Sequence, residues 1–385
     1  MTANTLTGLI PTIYQAKEVI LRELTGFIPA VTMDGSGEEA ALNQTISWPV
    51  SVVGDPDDVA AAATGPDPAG VTQGADTMTI SKSRSVTFHW TGEEQKSLNG
   101  MYNQILLNQF AKAMRKLVNE IETDLGALYI YASRAYGTAG TAPFGTNYAE
   151  AAQIRKILAD NGAPISDLQL VINTSAGANM RTLAAFNAAS DAGSSDPLRR
   201  GVLLDVHDFA IRESAKVASH TKGTGSGFLV DLTAGYAAGL TSFHADTGLG
   251  IIKAGDILTN TKTGRDTNKY VVKTGATGGT GVDVDLVLAD PGLQIAWVNN
   301  DPLSVGANYA ANLAFSRSAI HLMTRVPAMP EGGDAAEDVI VVTDPQTGLS
   351  FQVALYRQRR RVAFEVGIAW GVKAVESEAI AILLG

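Results

Sequence analysis

Cysteine is absent from all 385 residues. That excludes disulfides, thiolate zinc sites and cysteine nucleophiles. Long apolar runs are missing as well: no window approaches ~18 uninterrupted apolar residues, the length a membrane span needs. Met1 to Pro11 lacks a charged region followed by an apolar core, so the reading is an unexported chain with no membrane partner. Charge is sparse, at 18% against 45% hydrophobic residues, which fits a folded chain rather than a disordered one. Basic charge is scarcer still, with 29 Lys and Arg against 39 Asp and Glu, a net −10. Holding nucleic acid by its phosphates needs clustered cations. The densest cluster, Arg357, Arg359, Arg360 and Arg361, sits between apolar strand-like runs and reads as a solvated or interface edge ahead of a phosphate contact.

Catalytic constellations are equally scarce. His89, His207, His220, His244 and His321 are scattered, and no pair has the i, i+4 spacing of a helical zinc site. The glycine-rich stretches 223–227 and 275–281 lack the trailing Lys of a phosphate loop and read as turns. No Gly-x-Ser-x-Gly elbow marks a nucleophilic serine. No catalytic, metal or cofactor residue is assigned, and a converging carboxylate pair is the one enzymatic alternative left open.

What is present starts with helical periodicity from Glu93 to about Tyr136. Met101, Ile105, Phe110, Met114, Leu117, Val118, Ile121, Leu125 and Leu128 recur at mostly three- and four-residue steps. The stretch holds no proline and only Gly100 and Gly126, which predicts one amphipathic helix of up to ~40 residues. Lys112, Arg115, Lys116, Asn119, Glu120, Glu122 and Asp124 lie mostly off the apolar stripe and are expected on the polar face.

Before it, residues 1 to about 40 read as an arm with one helix near Ile13–Leu24, either an interaction arm or a docked terminal helix. From Thr45 to Trp90, two alternating segments read as the strands of a long hairpin. Between them, 54–74 carries Asp55, Asp57, Asp58 and Asp67 with three prolines, a composition that turns the chain without building a core. A two-stranded ribbon is marginal alone in water, so its apolar face must lie on its own domain or on a neighbouring copy.

After it come a helix at 149–161, a strand at 168–173, a further helix at 174–189 and mixed structure at 202–211, an α+β pattern. From 223 to 306 glycines crowd between short β-rich runs, the signature of a small antiparallel barrel or sandwich inserted into the surrounding domain. Residues 339–342, 349–356 and 362–370 then read as strands, with 344–348 as a hairpin turn, and 377–384 as a short apolar close.

The order of arm, acidic-tipped hairpin, long helix and interrupted α+β domain resembles the coat proteins of tailed double-stranded DNA phages, the Hong Kong phage capsid fold. The barrel narrows the resemblance to members with an insertion domain. Asn4 to Gly8 with Pro11, Gly92-Glu-Glu-Gln95, Asn119-Glu-Ile-Glu122, Ala132 to Tyr136, Gly255-Asp256, Asn312 to Phe315, and Asp344-Pro345 through Gly348-Leu349 carry it. The resemblance implies an α+β fold divided into an N-terminal arm (1–44), an extended hairpin loop (45–91), a spine helix with peripheral domain (92–148), a first axial part (149–222), the inserted barrel (223–306) and the axial and peripheral remainder (307–385).

It also implies a homo-oligomer of hexamers and pentamers in an icosahedral shell within the virion, assembled in the host cytoplasm. The implied partners are a separate scaffolding protein, a portal protein, a decoration protein as an optional addition, and double-stranded DNA held without sequence-specific binding. No catalytic role is expected. Subunit contacts are expected at Asp55, Asp57, Asp58, Asp67, Lys82, Arg84, Trp48 and Phe88. The competing reading is another self-associating virion component, a tail or adhesin subunit.

Overall fold

A computed structural model describes residues 25–50, 74–98, 101–183, 205–279, 283–343 and 348–385. A 3-10 turn at Ile28–Ala30 leads into β1 (Thr32–Ala40). β2 (Thr45–Val50) and β3 (Gly74–Thr79) pair as an antiparallel ribbon, with Thr45 opposite Thr79 and Val50 opposite Gly74. β4 (Lys82–Thr91), a short helix α1 (Gly92–Ser97), the long helix α2 (Tyr102–Gly126) and β5 (Arg134–Tyr136) follow. Next come α3 (Ala149–Asp160), β6 (Leu168–Ile172), α4 (Thr174–Thr182), β7 (Phe209–Glu213) and β8 (Ser219–His220).

Short strands fill the next region: β9 (Leu229–Val230), β10 (Ser242–Asp246), β11 (Gly250–Ile252), β12 (Ile257–Asn260), β13 (Lys269–Thr274), β14 (Ala276–Gly278), β15 (Val284–Leu288) and β16 (Leu303–Val305). The chain closes with β17 (Tyr309–Ser316), β18 (Ile320–Pro327), β19 (Asp338–Thr343), β20 (Ser350–Gln358), β21 (Arg361–Ala374) and β22 (Ile380–Leu384). The fold is α+β and carries, in order, a ribbon, a long helix, a mixed-sheet body and an inserted β region.

One sheet is built on β21. Along one edge it pairs with β4, from Arg361 opposite Thr91 to Trp370 opposite Lys82. The other edge is shared end to end by β20 and β18. β19 extends the sheet beyond β20, and β1 joins β18 in parallel. α2 lies across this sheet: Phe110 meets Phe88 of β4 edge-on at 5.1 Å and Phe364 of β21 at 5.4 Å. The second sheet runs β7-β6-β17-β22-β5. Its β22, Ile-Ala-Ile-Leu-Leu, is buried along its whole length, as expected of a central strand covered on both faces.

The single long helix of the sequence reading is divided. α1 begins at a capping box, Thr91 receiving the Glu94 N–H while the Glu94 carboxylate receives the Thr91 N–H at 2.8 Å, and ends at Ser97 just before Asn99-Gly100. α2 then spans 25 residues and stops at Gly126. A Cβ at Gly126 would meet the Lys216 carbonyl oxygen at 2.8 Å, so this close approach, not helix propensity, places the glycine. Leu128 keeps the apolar period through a 3-10 turn at Ala127–Tyr131, which is why periodicity overran the true end.

The hairpin is also reapportioned. The chain bends at Ile80 and Ser81, whose N–H groups donate to Gln44 and Trp370 carbonyls at 3.0 Å each, so β4 belongs to the sheet and not to the ribbon. The expected arm gives way, over residues 28–40, to the 3-10 turn and sheet strand β1; Arg325 grips β1 through the carboxylate and carbonyl of Asp34, both at 2.8 Å. The helix expected at 13–24 lies outside the described residues, as do 184–189, 202–204 and the turn 344–347.

Glu122, expected on the polar face, is 1% exposed. Its carboxylate accepts the N–H groups of Gly26 (3.2 Å), Phe27 (3.1 Å) and Ile28 (2.8 Å) and the Ser214 hydroxyl (2.8 Å). Burial pushes this carboxyl above the usual range, against the opposing pull of those donors.

The inserted region keeps its own core, in which Trp297 packs edge-on against Phe243 (5.1 Å) and Tyr270 (5.6 Å). Its strands neighbour one another in the order β9-β10-β15-β13-β12-β16. Bonds from Leu303 N–H to the Phe228 carbonyl (2.9 Å) and from Val230 N–H to the Asp301 carbonyl (3.0 Å) return the last strand towards the first, so the barrel is nearly closed. It is welded to the body where β13 pairs with β5. A chain of side chains, buried at His220 and Asp256, pins the same junction: the Tyr129 hydroxyl lies 2.9 Å from His220 Nδ1, and His220 Nε2 lies 2.7 Å from Asp256. The Tyr309 hydroxyl, beside this group, donates to the Gly255 carbonyl at 2.6 Å.

Two outcomes follow from these buried carboxylates. Glu122→Ala strands several donors, each worth roughly 1–3 kcal/mol when left unmade; a loss of at least ~3 kcal/mol is expected, read as a lower urea midpoint. For Asp256, burial pushes the carboxyl up, but the His220 hydrogen bond with the Lys253 and Gly223 N–H groups outweighs it and sets the value below the ordinary 3.8. A depressed carboxyl stabilises above its unfolded value and loses that contribution as pH falls through the folded one. Hydrogen exchange at residues 253–256 should therefore accelerate below pH 3.8 in the parent and show no such step in Asp256→Asn.

Candidate subunit interface

The ribbon joins the body at one end of β4, and among its described residues it is the base that the chain itself covers. Met78 and Ile80 pack with Ala40, Met323 and Ala369. Asp76 on β3 is held by Lys373, whose ammonium also donates to the Thr77 carbonyl at 2.9 Å. That contact, ahead of the opposing effect of burial, keeps the Asp76 carboxyl below its usual range.

Of the expected contact residues, Asp55, Asp57, Asp58 and Asp67 lie outside the described residues, in the connection between Val50 and Gly74. Trp48 sits on β2 opposite Asp76, and its side chain is outside the described set. Phe88, expected at a subunit contact, stacks on Phe364 at 5.4 Å and is partly buried against its own core. Lys82 and Arg84 both face α2. Lys82 donates to Asp124 at 2.7 Å, and the other oxygen of Asp124 accepts the Trp370 indole N–H at 2.8 Å. Arg84 reaches Glu120 only at 3.9 Å and is 61% exposed, an arrangement in which solvent screens most of the attraction.

At the opposite end of β4, the arginine cluster forms the turn between β20 and β21. Arg360 takes a left-handed φ of 59° there, and its carbonyl accepts the Gly92 N–H at 3.1 Å. Arg357 pairs with Glu337, while Arg359 and Arg360 are exposed. Together with Trp90, Glu93 and Gln95 they frame a cleft of about 670 Å³. The reading of this cluster as an exposed edge therefore holds. The sequence reading missed the intramolecular ties of Lys82, Asp76 and Asp34, because partners about 40 to 300 positions apart leave no local signal.

The histidines do not converge on a common site: His220 is buried in the junction described above and His244 pairs with Asp285 at the barrel surface. Asp231, Asp246 and Asp283 bring carboxylate oxygens within 4.8 Å of one another on the barrel, partly exposed, so solvent screens their mutual repulsion.

No protein-family model matches the chain, and no curated protein matches it. Among solved structures, it is similar over 94% of its length to 88% of a chain in the capsid of the cyanophage P-SCSP1u, at 10% identity and a TM-score of 0.48. It is similar over 94% to 87% of a chain in the mature capsid of bacteriophage PhiM1, at 10% identity and a TM-score of 0.46. A structure from Mycobacterium phage Che8 is similar over 89% of this chain and 85% of its own, at 12% identity and a TM-score of 0.46.

Proposed function

We propose that this chain is the major coat protein of a tailed double-stranded DNA phage, whose copies assemble as hexamers and pentamers into the icosahedral shell of the virion. The observation that carries the reading is the ribbon β2–β3, a separate two-stranded sheet in which, among the described residues, Met78, Ile80 and in part Ile46 pack on the chain's own core while Thr45, Ser47, Ala75, Thr77 and Thr79 are exposed. A two-stranded ribbon needs a surface to lie on, and a neighbouring copy supplies one. The connection it carries, 51–73, holds four aspartates and no basic residue, whereas Arg84 and the β20–β21 arginines are exposed cations. An acidic loop on one copy thereby meets a basic edge on the next. Each exposed pair contributes only ~0.2–1 kcal/mol, and repetition through a closed shell multiplies it while leaving single contacts reversible.

Growth on a separate scaffolding protein, a portal at one vertex and passive enclosure of DNA complete the reading. A net charge of −10 without a dominant basic patch suits a shell filled by a motor better than one that condenses nucleic acid on its wall. Assembly of this kind asks for surfaces and no reaction centre.

Purified protein, expressed with and without a scaffolding partner, should give closed shells or capsomer-sized oligomers by size exclusion and negative-stain imaging; tubes or trimers would instead indicate a tail or adhesin subunit. Arg84→Glu should lower the yield of closed shells several-fold while the urea midpoint of the subunit stays within about 0.5 kcal/mol of the parent, as for surface changes generally. Lys82→Glu is the coupled case, because it also opposes Asp124 and weakens the seat of α2. Unaltered shells from both variants would reject the basic-edge assignment.

A further inference from the structure

The barrel carries a second surface that its own core leaves uncovered. Residues 232–241 and 292–300 run antiparallel, joined by Tyr236 N–H to the Trp297 carbonyl (2.8 Å), Trp297 N–H to the Tyr236 carbonyl (2.9 Å) and Gly239 N–H to the Leu293 carbonyl (2.7 Å). Tyr236 and Trp297 point inward, at 6% and 1% exposure. Leu232 (39%), Leu240 (46%), Ile295 (49%) and Val298 (39%) are exposed. Between the large side chains in sequence stand Ala237 and Ala296, also exposed. The strip is uncharged: 232–243 and 291–300 contain no Asp, Glu, Lys, Arg or His. On a chain of net charge −10, such a strip is unusual.

We infer that this strip is a contact between copies, made by the same face of the barrel on a second subunit. The inference rests on the coat-protein reading. Two arguments select the occupant. First, a charged partner laid on the strip would lose hydration without regaining a partner for its charge. Another copy of the strip brings no charge of its own to desolvate, so two acidic subunits can meet there with their charges kept to the margins. Second, the exposed apolar area is about 300 to 500 Å², enough to mark an interaction site but short of the roughly 800 Å² per partner that a stable free pair hides. A contact of that size fails in dilute solution and holds when other contacts in a shell fix the orientation, as multivalent attachment does. The strip is therefore an assembly-dependent seam between barrels, distinct from the ribbon contact.

The absence of cysteine makes the test clean. Ala296→Cys and Leu240→Cys each place a single thiol on the strip, and Lys262→Cys, exposed on the barrel but off the strip, serves as control. Treated with a short bismaleimide and run on a denaturing gel, particles of the two strip variants should give covalent dimers several-fold above the control. The same variants as unassembled subunits should give none above it. In parallel, Leu240→Lys with Ile295→Lys should leave subunit melting unchanged and lower the denaturant concentration at which shells dissociate. Intact particles with no strip dimers and unchanged dissociation overturn the seam and leave the coat reading standing. Equal dimer yield in free subunits overturns its dependence on assembly. A chain that remains monomeric under all conditions overturns both.

Discussion

The carboxylate of Glu122 receives three consecutive backbone N–H groups from Gly26 to Ile28 and a hydroxyl from Ser214, and much of the body is arranged about that one group. It sits on the buried side of α2, between Ile121 and Leu125, so the helix that spans the first sheet also fixes where the chain before β1 runs. Two residues on, Asp124 accepts from Lys82 and from the Trp370 indole, tying β4 and β21 to the same turn. A buried carboxylate is costly unless its donors are all in place. The arrangement therefore rewards one packing of three distant segments and penalises others more than an apolar contact would.

The barrel shows a different economy. It has a core of its own around Trp297, yet β13 continues the body's second sheet through β5. Tyr129, His220 and Asp256 close the junction beside that pairing. Sheet continuity resists sliding, and the side-chain pin resists rotation, so the insertion behaves as an extension of the body. A neutral strip on such an extension is held at a fixed height and angle, which is what a weak surface needs to meet its counterpart.

Much of this was legible in the sequence where the signal is local. The Gly-rich turns announced the barrel, the alternation of 349–356 and 362–370 gave β20 and β21, and Gly162 marked the end of α3 region with its left-handed φ of 78°. The misreadings share a cause. Apolar period carried on through Leu128 although tertiary contact at Gly126 ended the helix, and Phe88 and Trp90 continued an alternation begun by Met78 although the chain bends at Ile80. β1, Thr-Met-Asp-Gly-Ser-Gly-Glu-Glu-Ala, has no alternation to read, since its place is set by Arg325 and the edge of β18. For the candidate interface, the arginine cluster was recognisable as an edge from four cations between apolar runs, whereas the turn it forms was not. The inward packing of Phe88 was not, because a strand's facing depends on which sheet it joins.

Strand β1 bears on how the protein is made. Thr32 lies beside His321 in parallel, and at ~5–20 residues per second the ribosome delivers the partner about 290 positions and roughly 15 to 60 s later. Throughout that interval the nascent segment has no template to complete it. Its composition, with three acids, two glycines and a serine, keeps it hydrated and slow to pair with the wrong edge. The polar character that hides β1 from a pattern search is thus the property that lets it wait, unaggregated, for the rest of the polypeptide to emerge.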